Sequence, residues 1–508
     1  MSVVKHNIIA NFIGQGWTGL MAVVFLPVYI DYLGIEAYGL IGLFVVLQTM
    51  LMLLDAGMTP TLNREMARYK AGGTDVQSIR DLLYSLEFIC LCLAVTVGLT
   101  VWSLSGYIAN YWLNVDKLSI EVVHRSFVIM ALIIALRFGE GIYRGSLFGL
   151  EKQVWYNTTY SLLATLRYGG AVVILEWFST SVEAFFLWQA AISFLAVILL
   201  SIKVHRLLPK SEEALKFSYE AISGIWKFAG GMMGITFFTM IFLQVDKLLV
   251  SKTLSLNEFG HYSLAATAAA ILFMIVVPVT QAIYPKMVGY ITIGDDRSLI
   301  SIYHKTTQLV IVLIAPAMML LYFYANDVIF MWSGNSELAN NVGPLLSILA
   351  IGVFLNSISH LPQQIQIAHG WTGLVLKTNV IIVIMLVPAV ILIASKYGSF
   401  GVAWAWVVAN LVYLIILTHF MYRHLMKGGK VQWFLIDIFL PSLVSLIVIL
   451  SSKYLQPSGL DSRFSWFAFL FLMYLFSVAA STLLTPLVRQ EIKGYLYNSI
   501  FKNNVSKL

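Results

Sequence analysis

Apolar residues run along this chain in blocks long enough to cross a hydrocarbon core of roughly 30 Å as helices. The blocks fall near residues 8–30, 37–58, 82–107, 120–143, 154–176, 181–203, 222–245, 259–283, 301–325, 340–361, 373–395, 400–422, 433–452 and 464–487. The pattern predicts an all-α integral membrane protein of about fourteen transmembrane helices, because a backbone in lipid must satisfy its own hydrogen bonds. The polar stretches between blocks are short. Pro60 to Asp81 and Lys203 to Glu220, the longest on one side, mix both charge signs and read as solvated connectors, in preference to an amphipathic surface helix at Thr61 to Lys70. No loop on the other side exceeds about twenty residues, which leaves no room there for a soluble catalytic domain.

Polar positions inside the blocks are the informative exceptions. The stretch from Ile120 to Trp177 holds two apolar helices, the first carrying Arg125, Arg137, Glu140 and Arg144, the second Arg167 in mid-span. An ionised side chain near the bilayer centre costs at least about 2.5–3.5 kcal/mol, so it faces protein or water and not lipid. At 100° per residue Arg137 and Arg144 share one stripe with Glu140 on its flank, while Asn157, Tyr160 and Arg167 line a stripe of the next helix. Two such stripes predict one wet, basic cavity, against the alternative of an Arg137–Glu140 salt bridge that only pins two helices. In the first block Asn7, Asn11, Gln15 and Thr18 form an amide-bearing face that bonds either the hydroxyls of a polar ligand or neighbouring helices. Gln48 and Asp55 form a shorter stripe, and Asp55 and Glu140 are the candidates for a coupling-ion site. In the second half Asn356, His360, Gln363 and Gln364 give the tenth block a polar face beside Pro362, and Lys305 and Gln308 enter the ninth. His360 is either a titrating group or a hydrogen-bonded structural one. Gly141, Gly145 and Gly149, like Gly230 and Gly234, have the four-residue spacing that lets helices approach closely. Pro27, Pro278, Pro316 and Pro388 lie within blocks and permit kinks, either static or serving a conformational change.

Composition and charge then narrow the class. With 59% hydrophobic and 11% charged residues, a soluble globule could not cover its own surface. The net charge of +7 would suggest nucleic acid in a soluble protein. Here the basic residues sit in short loops instead, 23 of them on one side and 6 on the other, with Arg125, Arg137 and Arg167 inside spans. That asymmetry predicts both termini in the cytoplasm. The first twenty residues lack a small-residue cleavage site and read as a retained first span. Cys90 and Cys92, two apart in an apolar run, imply neither a disulfide framework nor a zinc site. No G-x-x-x-x-G-K-[ST] loop occurs, which removes a built-in ATPase, and no cofactor is implied.

The chain also repeats itself. DYLGIEAYGLIGLFVV (31–46) parallels DKLLVSKTLSLNEFGHYSLAATAA (246–269), and FGLEKQVWYNTTYSLL (148–163) parallels AHGWTGLVLKTNVIIV (368–383). Six helices separate each pair, which predicts an N-terminal six-helix half (1–210), a C-terminal six-helix half (217–427) around a central cavity, two additional helices (431–490) and a cytoplasmic tail (491–508).

The Tyr38-Gly39-Leu40 step, the Asp55-Ala56-Gly57 run before Asn63-Arg64-Glu65, the passage from Asp246 to Leu264 and the repeat turns resemble the polysaccharide-biosynthesis branch of the multidrug/oligosaccharidyl-lipid/polysaccharide exporter superfamily. The resemblance covers nearly the whole chain and is strongest to O-antigen type repeat-unit flippases. It implies a bacterial inner-membrane protein that moves an undecaprenyl-pyrophosphate-linked glycan across the bilayer, with membrane lipids around it and a polysaccharide polymerase and chain-length regulator as partners. It implies no enzyme activity. A site read from the residues would use Arg137, Arg144 and Arg167 for the phosphates, and Asn11, Gln15, Asn157, Tyr160, His360 and Gln364 for the rest of the head. The alternative is a multidrug exporter of the same superfamily, although a cavity for cations should be richer in buried carboxylates than Glu140 and Asp55 make this one.

Overall fold

The computed structural model describes residues 3–51, 58–70, 72–210, 214–217, 237–426, 428–457 and 462–490. The chain forms two compact units, Met1–Gly260 and His261–Leu508.

The first unit begins with α1 (Val3–Val24) and α2 (Leu26–Leu51), which a single non-helical step at Phe25 separates. The first apolar block therefore spans two helices, with Pro27 in the first turn of α2, where its missing N–H costs nothing. At Gly34 the backbone turns to φ 81° and ψ 164°, a conformation open to glycine, and the expected gap between the first two blocks falls there. Then come α3 (Met58–Lys70), α4 (Val76–Tyr107, continued by a π-helical turn Ile108–Trp112), α5 (Ile120–Gly149), α6 (Gln153–Trp177), α7 (Val182–Leu207) and a helix α8 over 237–253.

Helix α3 corrects the expectation of a solvated connector. Met58, Leu62 and Met66, four apart, are all buried, while Asn63, Arg64, Ala67 and Arg68 are exposed. Its seat is the glycine stripe of α5. A Cβ on Gly145 would lie 2.4 Å from the Thr59 carbonyl oxygen, and one on Gly149 would lie 2.3 Å from that of Asn63. The charged content of 60–81 hid a helix whose apolar stripe is only three residues wide. Around it, α5 also packs on α4 and α7, and α1 lies along α6.

A second cluster fastens the loop after α4. The Glu36 carboxylate, 4% exposed, accepts backbone N–H groups from Asp116, Lys117 and Leu118 at 2.7, 2.8 and 3.3 Å. Asn114 pairs with the turn before α9 (Leu256–Ala269), its carbonyl accepting from Leu256 N at 2.8 Å. Gly39 and Gly260 are both needed there, since a Cβ on the first would meet the Leu256 carbonyl oxygen at 2.6 Å and one on the second that of Ile35 at 2.3 Å.

The second unit contains most of α9, then α10 (Ile271–Ile293), α11 (Asp296–Phe323), α12 (Ala325–Ser333), α13 (Ser336–Ala368), α14 (Thr372–His424), α15 (Lys430–Tyr454) and α16 (Arg463–Leu484). Its core joins α10, α11, α13 and α14 through Leu272, Val310, Ile314, Ile358, Leu361 and Leu414. Helix α14 is too long to cross a bilayer once; at Gly398 (φ 57°, ψ −151°) it is broken into two helices, between the eleventh and twelfth apolar blocks. Short α12 was not foreseen; Arg463 donates to the carbonyls of Met331 and Trp332 at its end, at 2.8 and 2.7 Å. The C-terminal pair packs on α11. There Asp437, 1% exposed, accepts from His304 and from Gln308 Nε2 (2.7 Å).

Ten of the described helices are long and apolar enough to span a membrane. Helices α1 and α6 fall outside that number because polar and charged positions dilute them, and α14 enters it once despite its break at Gly398. Residues 222–236 of the seventh expected block, Gly230 and Gly234 with them, lie outside the described residues, as does the tail 491–508.

Candidate functional site

Four helices of the first unit bring their polar exceptions to one place. Helix α6 supplies Arg167, whose side chain is 6% exposed. One of its Nη groups donates to Glu140 of α5 at 3.2 Å and, more weakly, to Ser193 of α7 at 3.4 Å. The guanidinium lies 5.9 Å from the centroid of the Tyr160 ring, two turns back along α6. Gln189, four residues before Ser193, donates to the Arg167 carbonyl at 3.3 Å and ties α7 to the same turn. Arg137 of α5 points the other way. Its guanidinium donates to Gln48 of α2 and sits 5.5 Å over the Phe44 ring. The Nε–H groups of both arginines are buried and have no hydrogen-bond partner.

The geometry decides between the two pairings open to Glu140. It bonds Arg167 across the helix interface and not Arg137 three residues back along its own helix. Two guanidinium groups and one carboxylate leave the cluster with a net charge of +1, carried on a buried Arg167 and a half-buried Arg137. In a low-dielectric setting such an excess draws an anion strongly. Two unsatisfied donors on planar guanidinium forks suit that anion to phosphate oxygens.

Arg144 lies two turns from Arg137 on α5 and is exposed. Near it on α6 is Tyr156, which stacks on Tyr160 with centroids 5.3 Å apart and planes at 16°. Tyr160 in turn faces Arg167. These four side chains form a basic and aromatic track from an exposed end of α5 and α6 to the buried cluster.

The remaining expected residues divide. Asn11 and Asn157 meet, but each holds the other: Asn157 Nδ2 donates to Asn11 Oδ1 at 2.6 Å, and Asn11 Nδ2 donates to Gln153 Oε1 at 2.7 Å. Of the two roles open to the amide face, these contacts are the helix-bonding one. Gly14 makes them possible, because a Cβ there would lie 2.6 Å from Asn157 Oδ1. Gln15, one turn on from Asn11, is exposed. Beside this seam runs a groove of about 520 Å³ lined by Ile13, Trp17, Thr158, Ser161, Leu162 and Thr165. His360 and Gln364 belong to the second unit, where their side-chain nitrogens are 3.1 Å apart and the imidazole packs edge-on against Phe273. Asp55 lies outside the described residues, and nothing is described of the Asn7 side chain.

Sequence reasoning missed Phe44, Gln153, Tyr156, Gln189 and Ser193. The last two carried a readable signal, two polar residues four apart in the otherwise apolar run of α7.

Known proteins now bear on this arrangement. A family described as polysaccharide biosynthesis protein matches residues 4–291, more than half of the chain. The chain belongs to that family. This places it in the polysaccharide branch of the multidrug/oligosaccharidyl-lipid/polysaccharide exporter superfamily, as its motifs implied. Among this chain's relatives, a putative O-antigen transporter of Shigella flexneri is 22% identical over 421 residues, 82% of this chain and 97% of that one. The lipopolysaccharide biosynthesis protein WzxC of Escherichia coli K12 is 21% identical over 240 residues, 47% and 48% of the two chains. The fold resembles that of the lipid II flippase MurJ in an inward closed conformation, with a TM-score of 0.70 at 16% identity over 94% of this chain and 98% of MurJ.

Proposed function

We propose that this protein is a flippase that carries an undecaprenyl-pyrophosphate-linked oligosaccharide, an O-antigen repeat unit or a similar surface glycan, from the inner to the outer leaflet of the bacterial inner membrane. The observation that carries this reading is the cluster of the half-buried Arg137–Gln48 pair and the buried Arg167–Glu140 pair, with its excess positive charge and two unmet donors. A relative described as a putative O-antigen transporter supports the choice of cargo.

In this reading the chain crosses the membrane fourteen times with both termini in the cytoplasm. Its two six-helix halves rock about a central cavity while the lipid tail stays in the bilayer. No covalent step is involved. A pyrophosphate with its glycan cannot cross hydrocarbon unaided, because desolvating its charges and hydroxyls costs far more than thermal energy. Arg144 receives the head at the exposed end, and Arg137 and Arg167 replace its water deeper in. Moving an anion outward through an inside-negative membrane is favoured by about 2.3 kcal/mol per charge per 100 mV, so the potential itself drives export.

The test uses proteoliposomes carrying a defined undecaprenyl-pyrophosphate oligosaccharide and no ATP. A potential negative on the side of the basic loops should accelerate flipping. Arg167→Lys should keep part of the rate, and the Arg167→Ala/Glu140→Gln double variant, which leaves no orphaned carboxylate, should lose it. A rate indifferent to potential of either sign, or a double variant as fast as the wild type, overturns the reading.

A further inference from the structure

A purely structural clamp between α5 and α6 should be neutral and satisfied, since a buried ion pair stabilises only when its charges and donors are matched. This cluster is neither. Glu140 carries the sole carboxylate whose hydrogen bonds reach it among the described residues. It engages one Nη of Arg167 at 3.2 Å, and the Nε–H groups of Arg167 and Arg137 remain unmet. Ser193 and Tyr160 hold the Arg167 guanidinium from other sides, at 3.4 Å and, to the ring centroid, 5.9 Å. The arginine therefore keeps its place when the carboxylate lets go.

Resting on the flippase reading above, we propose that Glu140 is a resident counter-anion that the pyrophosphate of the substrate displaces from Arg167. In the empty site the carboxylate takes the position of a phosphate oxygen and lowers the cost of a buried guanidinium. When the head arrives along Arg144, Tyr156 and Tyr160, a phosphate oxygen replaces the carboxylate and the orphaned Nε–H groups gain acceptors. When the head leaves, Glu140 returns to Arg167. The exchange keeps the site from holding its cargo too tightly, so Glu140 sets both affinity and release. It is a positioning residue acting through Arg167, and the glycan plays no part in it.

The experiment measures inorganic pyrophosphate binding by titration calorimetry on the purified full chain in detergent, without divalent cations, and the flipping rate against lipid-linked substrate concentration. Glu140→Gln, which keeps the shape and loses the charge, should bind pyrophosphate at least about tenfold more tightly, about 1.4 kcal/mol. Its half-saturating substrate concentration should fall while its maximal rate falls too, because release slows. Glu140→Asp keeps the charge but shortens the reach, and should tighten binding several-fold; it serves where Glu140→Gln does not yield folded protein. Unchanged or weaker binding by these variants, in a protein whose affinity drops on Arg137→Gln, overturns the exchange and leaves the flippase reading standing. Binding indifferent to Arg137→Gln, or no binding by wild type and Glu140→Gln alike, removes the anion site itself.

Discussion

Replacing Arg167 with alanine leaves the Glu140 carboxylate, 9% exposed as a side chain, without its counter-ion inside the bundle. At 3.2 Å two unit charges attract by about 5 kcal/mol at an effective dielectric constant of about 20. Most of that offsets desolvation, so the pair as a whole is worth little, yet breaking it from one side costs about 3–5 kcal/mol. Glu140→Gln is milder, about 1–3 kcal/mol, because the amide oxygen still accepts a hydrogen bond and Ser193 remains in reach of Arg167. In the double variant neither charge is stranded. Its destabilisation should fall short of the sum of the single effects by at least about 1.5 kcal/mol. The assay is unfolding in mixed detergent micelles titrated with sodium dodecyl sulfate, followed by circular dichroism, for wild type, both single variants and the double. Single effects that add within about 0.5 kcal/mol would mean that the two side chains do not share an ion pair, and the charge account of the cluster would fall with it.

Gly149→Ala should push α3 off α5, because its Cβ would lie 2.3 Å from the Asn63 carbonyl oxygen; a loss of about 1–3 kcal/mol and faster tryptic cleavage at Arg64 and Arg68 are expected. Glu36→Gln weakens three charge-assisted bonds to the backbone of 116–118, and amide exchange across 113–119 should quicken while that of α5 stays unchanged. Asp75 and Asp295 cap α4 and α11, and the side-chain hydrogen bonds from Ser78 and Ser298 hold their carboxyls below the ordinary 3.8. A depressed folded-state value means stabilisation present above 3.8 and lost as pH falls through the lower one, so amide protection at 76–79 and 296–299 should drop in that window and stay flat in Asp75→Asn and Asp295→Asn. Reporter fusions after Gly72 should signal the cytoplasm and those after Asn335 the outside; reversal of both would break the topology.

Much of the architecture was legible because lipid removes alternatives: an apolar block of sufficient length has to be a helix. The breaks at Gly34 and Gly398 fall in the short gaps between predicted blocks, where glycine readily adopts the positive φ that interrupts the helix. What escaped was helix outside that rule. Helix α3 has too few apolar residues to announce itself, and its partner is a glycine stripe whose purpose the sequence left open, since close spacing does not say what approaches. Helix α12 is nine residues long, below the length at which periodicity separates helix from connector.

The site was legible as a set of side chains and illegible as a set of pairs, and the reason is physical. Periodicity assigns a residue to a helix face, but two arginines and one glutamate on facing stripes admit more than one pairing, and the outcome depends on what else each arginine can reach. Arg137 has Gln48 on α2 and the Phe44 ring, so it is held without the carboxylate. Arg167 lies deeper, with the Tyr160 ring and one weakly placed hydroxyl at 3.4 Å but no amide acceptor like Gln48, and it takes the glutamate. A cation entering at Glu140 would first have to part the carboxylate from Arg167. A phosphate meets no such obstacle at Arg137, where an unmet Nε–H already waits beside a neutral amide.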